Sequence, residues 1–147
     1  MEQLLDALKR AFANTYAMYI KSQGYHWNGV GNNFPQYHAF FGSIYEEVYG
    51  SIDSFAEHIR ACGGYAPASF TELSRLSAIQ DELSVPPMLE MVQVLYDDNQ
   101  TVMNSLRVAY QAAEAVGEIG LSNYLQDRYD AHTKHAWQLR STLRSNP

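Results

Sequence analysis

Apolar residues recur at three- and four-residue spacing along four long stretches of this chain, and no other feature constrains its fold as tightly. In the first stretch, from Glu2 to Trp27, one helical face carries Leu4, Leu5, Leu8, Ala11, Phe12, Tyr16, Tyr19 and Ile20. Asn28-Gly29-Val30-Gly31-Asn32-Asn33 then breaks the helix. The second stretch begins near Pro35, a residue suited to a first helical turn. It carries Phe40, Phe41, Ile44, Tyr45, Val48, Ile52, Phe55, Ala56 and Ile59, and Gly63-Gly64 ends it. A connection of about twenty residues follows, in which Ser69 and Glu72 form a capping-box pattern for a short helix through Leu76. Pro86-Pro87 starts the third long helix, with Leu89, Val92, Val94, Leu95, Val102, Met103, Leu106 and Ala109 as its core positions. Gly117 and Gly120 bracket the turn into the last, which carries Leu121, Tyr124, Leu125, Tyr129, His132, Ala136, Leu139 and Leu143. The expected fold is all-α: a four-helix bundle with a short extra helix in a long crossover. That crossover lets the second and third long helices run parallel.

The 147 residues suffice for one domain with its own core, expected to span 1–147. Net charge is −6 with only ten Lys plus Arg, and no basic patch or run of the kind nucleic-acid binders carry. No apolar run approaches the roughly 20 residues needed to cross a bilayer. Met1-Glu2-Gln3-Leu4-Leu5-Asp6 lacks the basic and apolar regions of a signal peptide, so a cytoplasmic location is expected. The single cysteine, Cys62, sits among apolar neighbours and reads as a buried small side chain.

Two histidines, His26 and His38, lie twelve residues apart, at the end of the first helix and the start of the second. Asp53 follows His38 by fifteen residues, and Glu57 stands four residues further on. Imidazoles and carboxylates are the donors of a redox-active iron site. The acids share one helix face. Taken singly, an acid pair at this spacing is also a common solvated stripe, and each histidine alone is a common helix-end residue. Taken together they pose a geometric problem. Fifteen residues of continuous helix span about 22 Å, whereas metal–ligand bonds are about 2 Å. One chain cannot close the four groups on one metal. Two hairpins packed antiparallel about a two-fold axis can, giving two equivalent sites, each with His26 and His38 from one chain and Asp53 and Glu57 from its mate. The intrachain alternative, Glu-x-x-His motifs on two helices, is absent from the sequence.

Tyr25-His26-Trp27-Asn28, Gly31, Phe34, and His38 with Phe41 and Tyr45 resemble the first signature of the Dps family, the mini-ferritins of the ferritin-like superfamily. Asp53, Ala56, Glu57 and Gly63 resemble its second signature, and His132, Lys134, Trp137, Leu139, Arg140 and Ser141 its last-helix pattern. The resemblance covers nearly the whole chain. It implies a ferritin-like four-helix bundle assembled as a hollow dodecamer. It also implies an inter-subunit ferroxidase that oxidises Fe(II) with hydrogen peroxide or oxygen and stores ferric mineral. His26, His38, Asp53 and Glu57 match the iron ligands, for one or two ions per site. Trp27 matches an aromatic beside the site, either an electron donor or a core-packing residue.

Three departures stand out. Gly42 occupies a position where the family often has Asp, which weakens the expectation of a second iron. The turn before the last helix reads Gly117-Glu118-Ile119-Gly120-Leu121-Ser122-Asn123 where the family often carries pore acids. The Lys-rich N-terminal tail of DNA-binding members is missing, so DNA binding is not expected. A rival reading keeps the shell but has a degraded ferroxidase, with a structural or DNA-compacting role. An oxidase of organic substrates is a third, disfavoured by the missing Glu-x-x-His motifs. His132 and His135 are read as structural rather than chelating, and His58 as a surface residue. The eleven tyrosines are read as core-edge or interface residues.

Overall fold

The computed structural model describes residues 1–144 and consists of five helices: α1 (Glu2–Asn28), α2 (Phe34–Ala61), α3 (Phe70–Leu76), α4 (Met88–Ala115) and α5 (Ile119–Leu143). Among the described residues there is no strand. The connection from Gly63 to Pro87 crosses the bundle and holds the short α3, whose N-cap Ser69 accepts a hydrogen bond from the Glu72 amide. Contacts fix the helix directions. Phe12 packs on Phe55 and His26 on His38, so α1 and α2 are antiparallel. Lys21 pairs with Asp98 while Gly29 abuts Met88, so α1 and α4 are antiparallel too. The parallel arrangement of α2 and α4 follows. No helix among the described residues is long and apolar enough to cross a membrane.

Two helix ends are built alike. At Gly63 the backbone has φ 91°, with Gly63 N bonded to Arg60 O and Gly64 N to Ile59 O. At Gly117 φ is 76°, with Gly117 N bonded to Glu114 O and Glu118 N to Ala113 O. Both are glycine-terminated caps that satisfy the last carbonyls, and each needs a left-handed residue. The expected turn around Gly120 shifts. Gly120 lies inside the first turn of α5, and the break rests on Gly117 alone.

The core is the meeting of the four apolar stripes, with Leu4, Leu8, Met18, Phe41, Ile44, Phe55, Ile59, Met91, Leu95, Leu106, Leu125 and Leu139 all but fully buried. Two expected core residues are not in it. Ile20 is 48% exposed and Leu89 54% exposed. Cys62, expected to be buried, is half-buried at the end of α2. Ile20 lies beside a cleft of 1030 Å³ between α1 and the crossover, whose rim includes Trp27, Phe70 and Leu83. Those apolar side chains face outward from the chain.

Candidate metal-oxidation site

His26 ends α1 and His38 occupies the second turn of α2, and the Gly29–Asn33 turn folds one over the other. Their rings stack with centroids 3.8 Å apart and planes 15° from parallel. The Nδ1 of His26 bonds the His38 carbonyl at 2.6 Å, and the Nδ1 of His38 bonds the His26 carbonyl at 2.8 Å. A carbonyl oxygen only accepts, so each Nδ1 carries the proton. In the neutral rings, both Nε2 atoms then present lone pairs, the form in which imidazole ligates metals. Phe34 stacks on His38 with centroids 5.0 Å apart, and Tyr45 packs on His26 at 5.1 Å. The pair is thus held by two reciprocal hydrogen bonds and two aromatic walls.

Gly42 is part of this arrangement. A Cβ built there would lie 3.0 Å from two atoms of the His26 ring. A side chain there would require the His26 ring, which stacks on His38, to give by a few tenths of an ångström. Gly42 offers no ligand of its own.

Asp53 and Glu57 stand exposed near the far end of the same helix. The Glu57 carboxyl is pushed above its ordinary value by its hydrogen bond to Asp53 and then by the Asp53 charge. The two carboxyls therefore sit close enough for the charge of one to oppose ionisation of the other. α2 is unbroken from Phe34 to Ala61, so the continuous helix assumed in the spacing argument is present. The structure therefore brings His26 and His38 together, brings Asp53 and Glu57 together, and separates the two pairs by about 22 Å of helix. Among the described residues no three His, Cys, Asp or Glu side chains of one chain gather as a metal cluster. Trp27 is 63% exposed, so it is not a core-packing residue of its own chain.

The ferritin-like domain family matches residues 5–146. The chain belongs to the ferritin-like Dps family. It is similar to the DNA protection during starvation protein of Brevibacillus brevis, 29% identical over 97% of each chain. It superposes on Dps from Thermosynechococcus elongatus with a TM-score of 0.94 and 25% identity, covering 99% of this chain and 92% of that one. It superposes on Dps from Vibrio cholerae O1, described as a member of a broad superfamily of ferritin-like diiron-carboxylate proteins, with a TM-score of 0.93 and 27% identity over 97% of this chain and 90% of that one. The ferritin-like bundle expected from the motifs is the fold observed.

A second polar cluster lies between α2, α4 and α5, and only part of it was foreseen. Glu47 receives Nη1 and Nη2 of Arg128 at 2.6 and 3.0 Å and Nε2 of His135 at 2.8 Å. His132, fully buried, faces Asn99 Oδ1 at 2.7 Å through Nδ1 and Arg128 Nη2 at 3.2 Å through Nε2. Arginine only donates, so His132 Nε2 accepts and its Nδ1 donates to Asn99. Burial, then the charges of Arg128 and His135, hold the His132 imidazole well below its ordinary value. Burial pushes the Glu47 carboxyl up, but the hydrogen bonds and charges of His135 and Arg128 outweigh it and hold Glu47 far below the usual carboxylate range. Both histidines are thus structural, as their reading had it. His58 differs from its surface reading. It is half-buried, packs against Tyr124 with centroids 4.4 Å apart and planes tilted by 34°, and burial holds its imidazole below the ordinary value.

In the turn leading into α5, Leu121 is buried in the core while Ile119 and Asn123 are exposed and Glu118 is half-exposed.

Proposed function

We propose that this protein is a ferroxidase and iron-storing mini-ferritin. It oxidises Fe(II) with hydrogen peroxide, or with oxygen, at sites shared between two subunits, and holds the ferric product inside a hollow shell. One observation carries the reading: two histidines with free Nε2 atoms at one end of an unbroken α2, and a carboxylate pair at the other. A two-fold axis between antiparallel hairpins lays the histidine end of one chain against the acid end of its mate. The outward-facing Ile20, Trp27, Phe70 and Leu83 supply the apolar surface such a contact buries. Iron is the substrate here. His26 and His38 hold Fe(II) by neutral nitrogen. Asp53 and Glu57 of the other subunit neutralise the charge that rises on oxidation to Fe(III), which hard oxygen donors favour. Each shared site takes one or two ions. Trp27 flanks the site as an electron donor.

The assembly is a homo-oligomer, a dodecamer of such dimers, made from one Dps-type domain per chain and acting in the cytoplasm against oxidative damage. Consuming Fe(II) and peroxide together removes both reagents of hydroxyl-radical formation. With net charge −6 the shell is expected not to bind DNA. A gel shift that appears at low salt and weakens as salt rises would reverse that point.

Gly42 favours a rival, a shell whose oxidase is degraded. One experiment separates the two. Purified protein receives Fe(II) anaerobically, peroxide is added, and soluble ferric iron is followed by absorbance. Fast oxidation with iron retained on a large assembly supports the ferroxidase. Oxidation no faster than in protein-free buffer, with precipitated iron, overturns it.

A further inference from the structure

Four of the eleven tyrosines form one connected chain along the seam between α1 and α2. It starts at His26, whose ring packs on Tyr45 with centroids 5.1 Å apart. Tyr45 packs on Tyr19 at 6.3 Å, and Tyr19 packs on Tyr49 at 4.9 Å and on Tyr16 at 5.7 Å. Tyr49 stands one helical turn before Asp53 on the same face of α2. The ladder therefore runs from the histidine end of a chain to its carboxylate end. In the proposed dimer those two ends belong to different iron sites. Packing alone asks only for aromatic rings, which phenylalanine supplies without a hydroxyl to satisfy. A phenol adds a group that gives up an electron and a proton together.

The proposed reaction has a use for such a path. Peroxide takes two electrons, Fe(II) gives one, and a one-electron reduction of peroxide releases hydroxyl radical. Gly42 supplies no ligand for a second iron, and the His26 ring fills the space beside it. A site holding a single Fe(II) must draw the second electron from a neighbouring side chain.

Building on the ferroxidase reading, we propose that the Tyr45–Tyr19–Tyr49 ladder conducts an electron between the two iron sites of a dimer. Two single-iron sites thereby reduce one peroxide. At the first site Fe(II) gives one electron. Tyr45 gives the second with its phenolic proton. The O–O bond breaks, and with one further proton from solvent two waters form. The Tyr45 radical takes an electron and proton from Tyr19, and Tyr19 takes them from Tyr49. Tyr49 takes an electron from Fe(II) at the second site and a proton from solvent. The sum is two Fe(II), one peroxide and two protons giving two Fe(III) and two waters, with every tyrosine restored.

The test uses the intact assembly, loaded anaerobically with one Fe(II) per site and mixed with one peroxide per dimer. Rapid freeze-quench electron paramagnetic resonance reads the radical, and a spin trap reads free hydroxyl radical. Wild type is expected to show a transient tyrosyl signal, little trapped hydroxyl, and two Fe(II) oxidised per peroxide. Tyr19→Phe keeps the ring but interrupts the ladder, and Tyr45→Phe removes its first donor. In each, with assembly size unchanged, trapped hydroxyl should rise several-fold and the Fe(II) oxidised per peroxide should fall from two toward one. Tyr129→Phe, off the ladder, should match wild type. If wild type oxidises iron quickly but both ladder variants match it, with no tyrosyl signal, the ladder is wrong and the ferroxidase stands. A tryptophanyl signal from Trp27 in its place also overturns the ladder. If wild type fails to oxidise iron, the ferroxidase reading falls and takes the ladder with it.

Discussion

Acidification should destabilise the fold through His132 before any carboxylate of the Glu47 cluster titrates. His132 is fully buried and neutral, wedged between Asn99, which takes its Nδ1 proton, and Arg128, which bonds its Nε2. His135 and Glu47 complete its surroundings, and the former adds to the field against a second proton. The folded value lies well below the ordinary 6.5, so below pH 6.5 the unfolded chain binds a proton that the folded chain refuses. The stabilisation is complete above that pH and is lost as pH falls toward the folded value. Each pH unit over which the folded imidazole refuses the proton costs about 1.4 kcal/mol. For a chain of this size each kcal/mol lowers the melting temperature by roughly 2–4 °C. His58, also lowered by burial, adds to the slope in the same window, and Glu47 contributes only below its ordinary 4.5. The assay is thermal unfolding across this range at fixed protein concentration, for wild type and His132→Gln. The variant loses stability at neutral pH, but its slope should be shallower by about one proton. Equal slopes would show that His132 accepts its proton in the folded state, and the argument would fail.

Other perturbations should report on separate parts of the account. Glu47→Gln leaves the Arg128 charge buried against a neutral partner. Because the Glu47 side chain is itself 38% exposed, the loss should be about 2–4 kcal/mol by denaturant unfolding, below the full cost of breaking a buried pair. Gly42→Ala should slow iron oxidation at least as much as it destabilises the fold, because its Cβ meets the pinned His26 ring; a faster enzyme would contradict that geometry. Gly63→Ala forces a left-handed conformation on a residue with a Cβ and should cost about 1–2 kcal/mol. Phe70→Asp, at an exposed site, should leave the helix content intact while lowering assembly size on a sizing column.

The helices were legible because each long stretch keeps one apolar face, and because Gly63, Ser69 and Pro87 carry backbone requirements that show in the residue type. The His26–His38 pair was legible because a short turn joins them. The same periodicity misled at Ile20 and Leu89, where an apolar residue on a helical repeat faces outward. Spacing does not distinguish a core stripe from an interface stripe. The Glu47 cluster stayed hidden because Glu46-Glu47 reads as surface charge and its partners lie on α5, more than eighty residues away. The links of Tyr25 to Glu82 and Lys21 to Asp98 were hidden for the same reason. The tyrosine ladder left a trace that could have been read, since Tyr45 and Tyr49 continue the α2 stripe from His38 to Asp53.

The central claim is that each oxidation site borrows its acids from a second subunit. Two inactive variants, His38→Ala and Asp53→Ala, should be mixed under conditions in which subunit exchange is demonstrated, and Fe(II) oxidation by peroxide measured. A mixed dimer has one site lacking both groups and one site with all four. The account predicts that activity returns on mixing. Complete exchange with no recovery would contradict it.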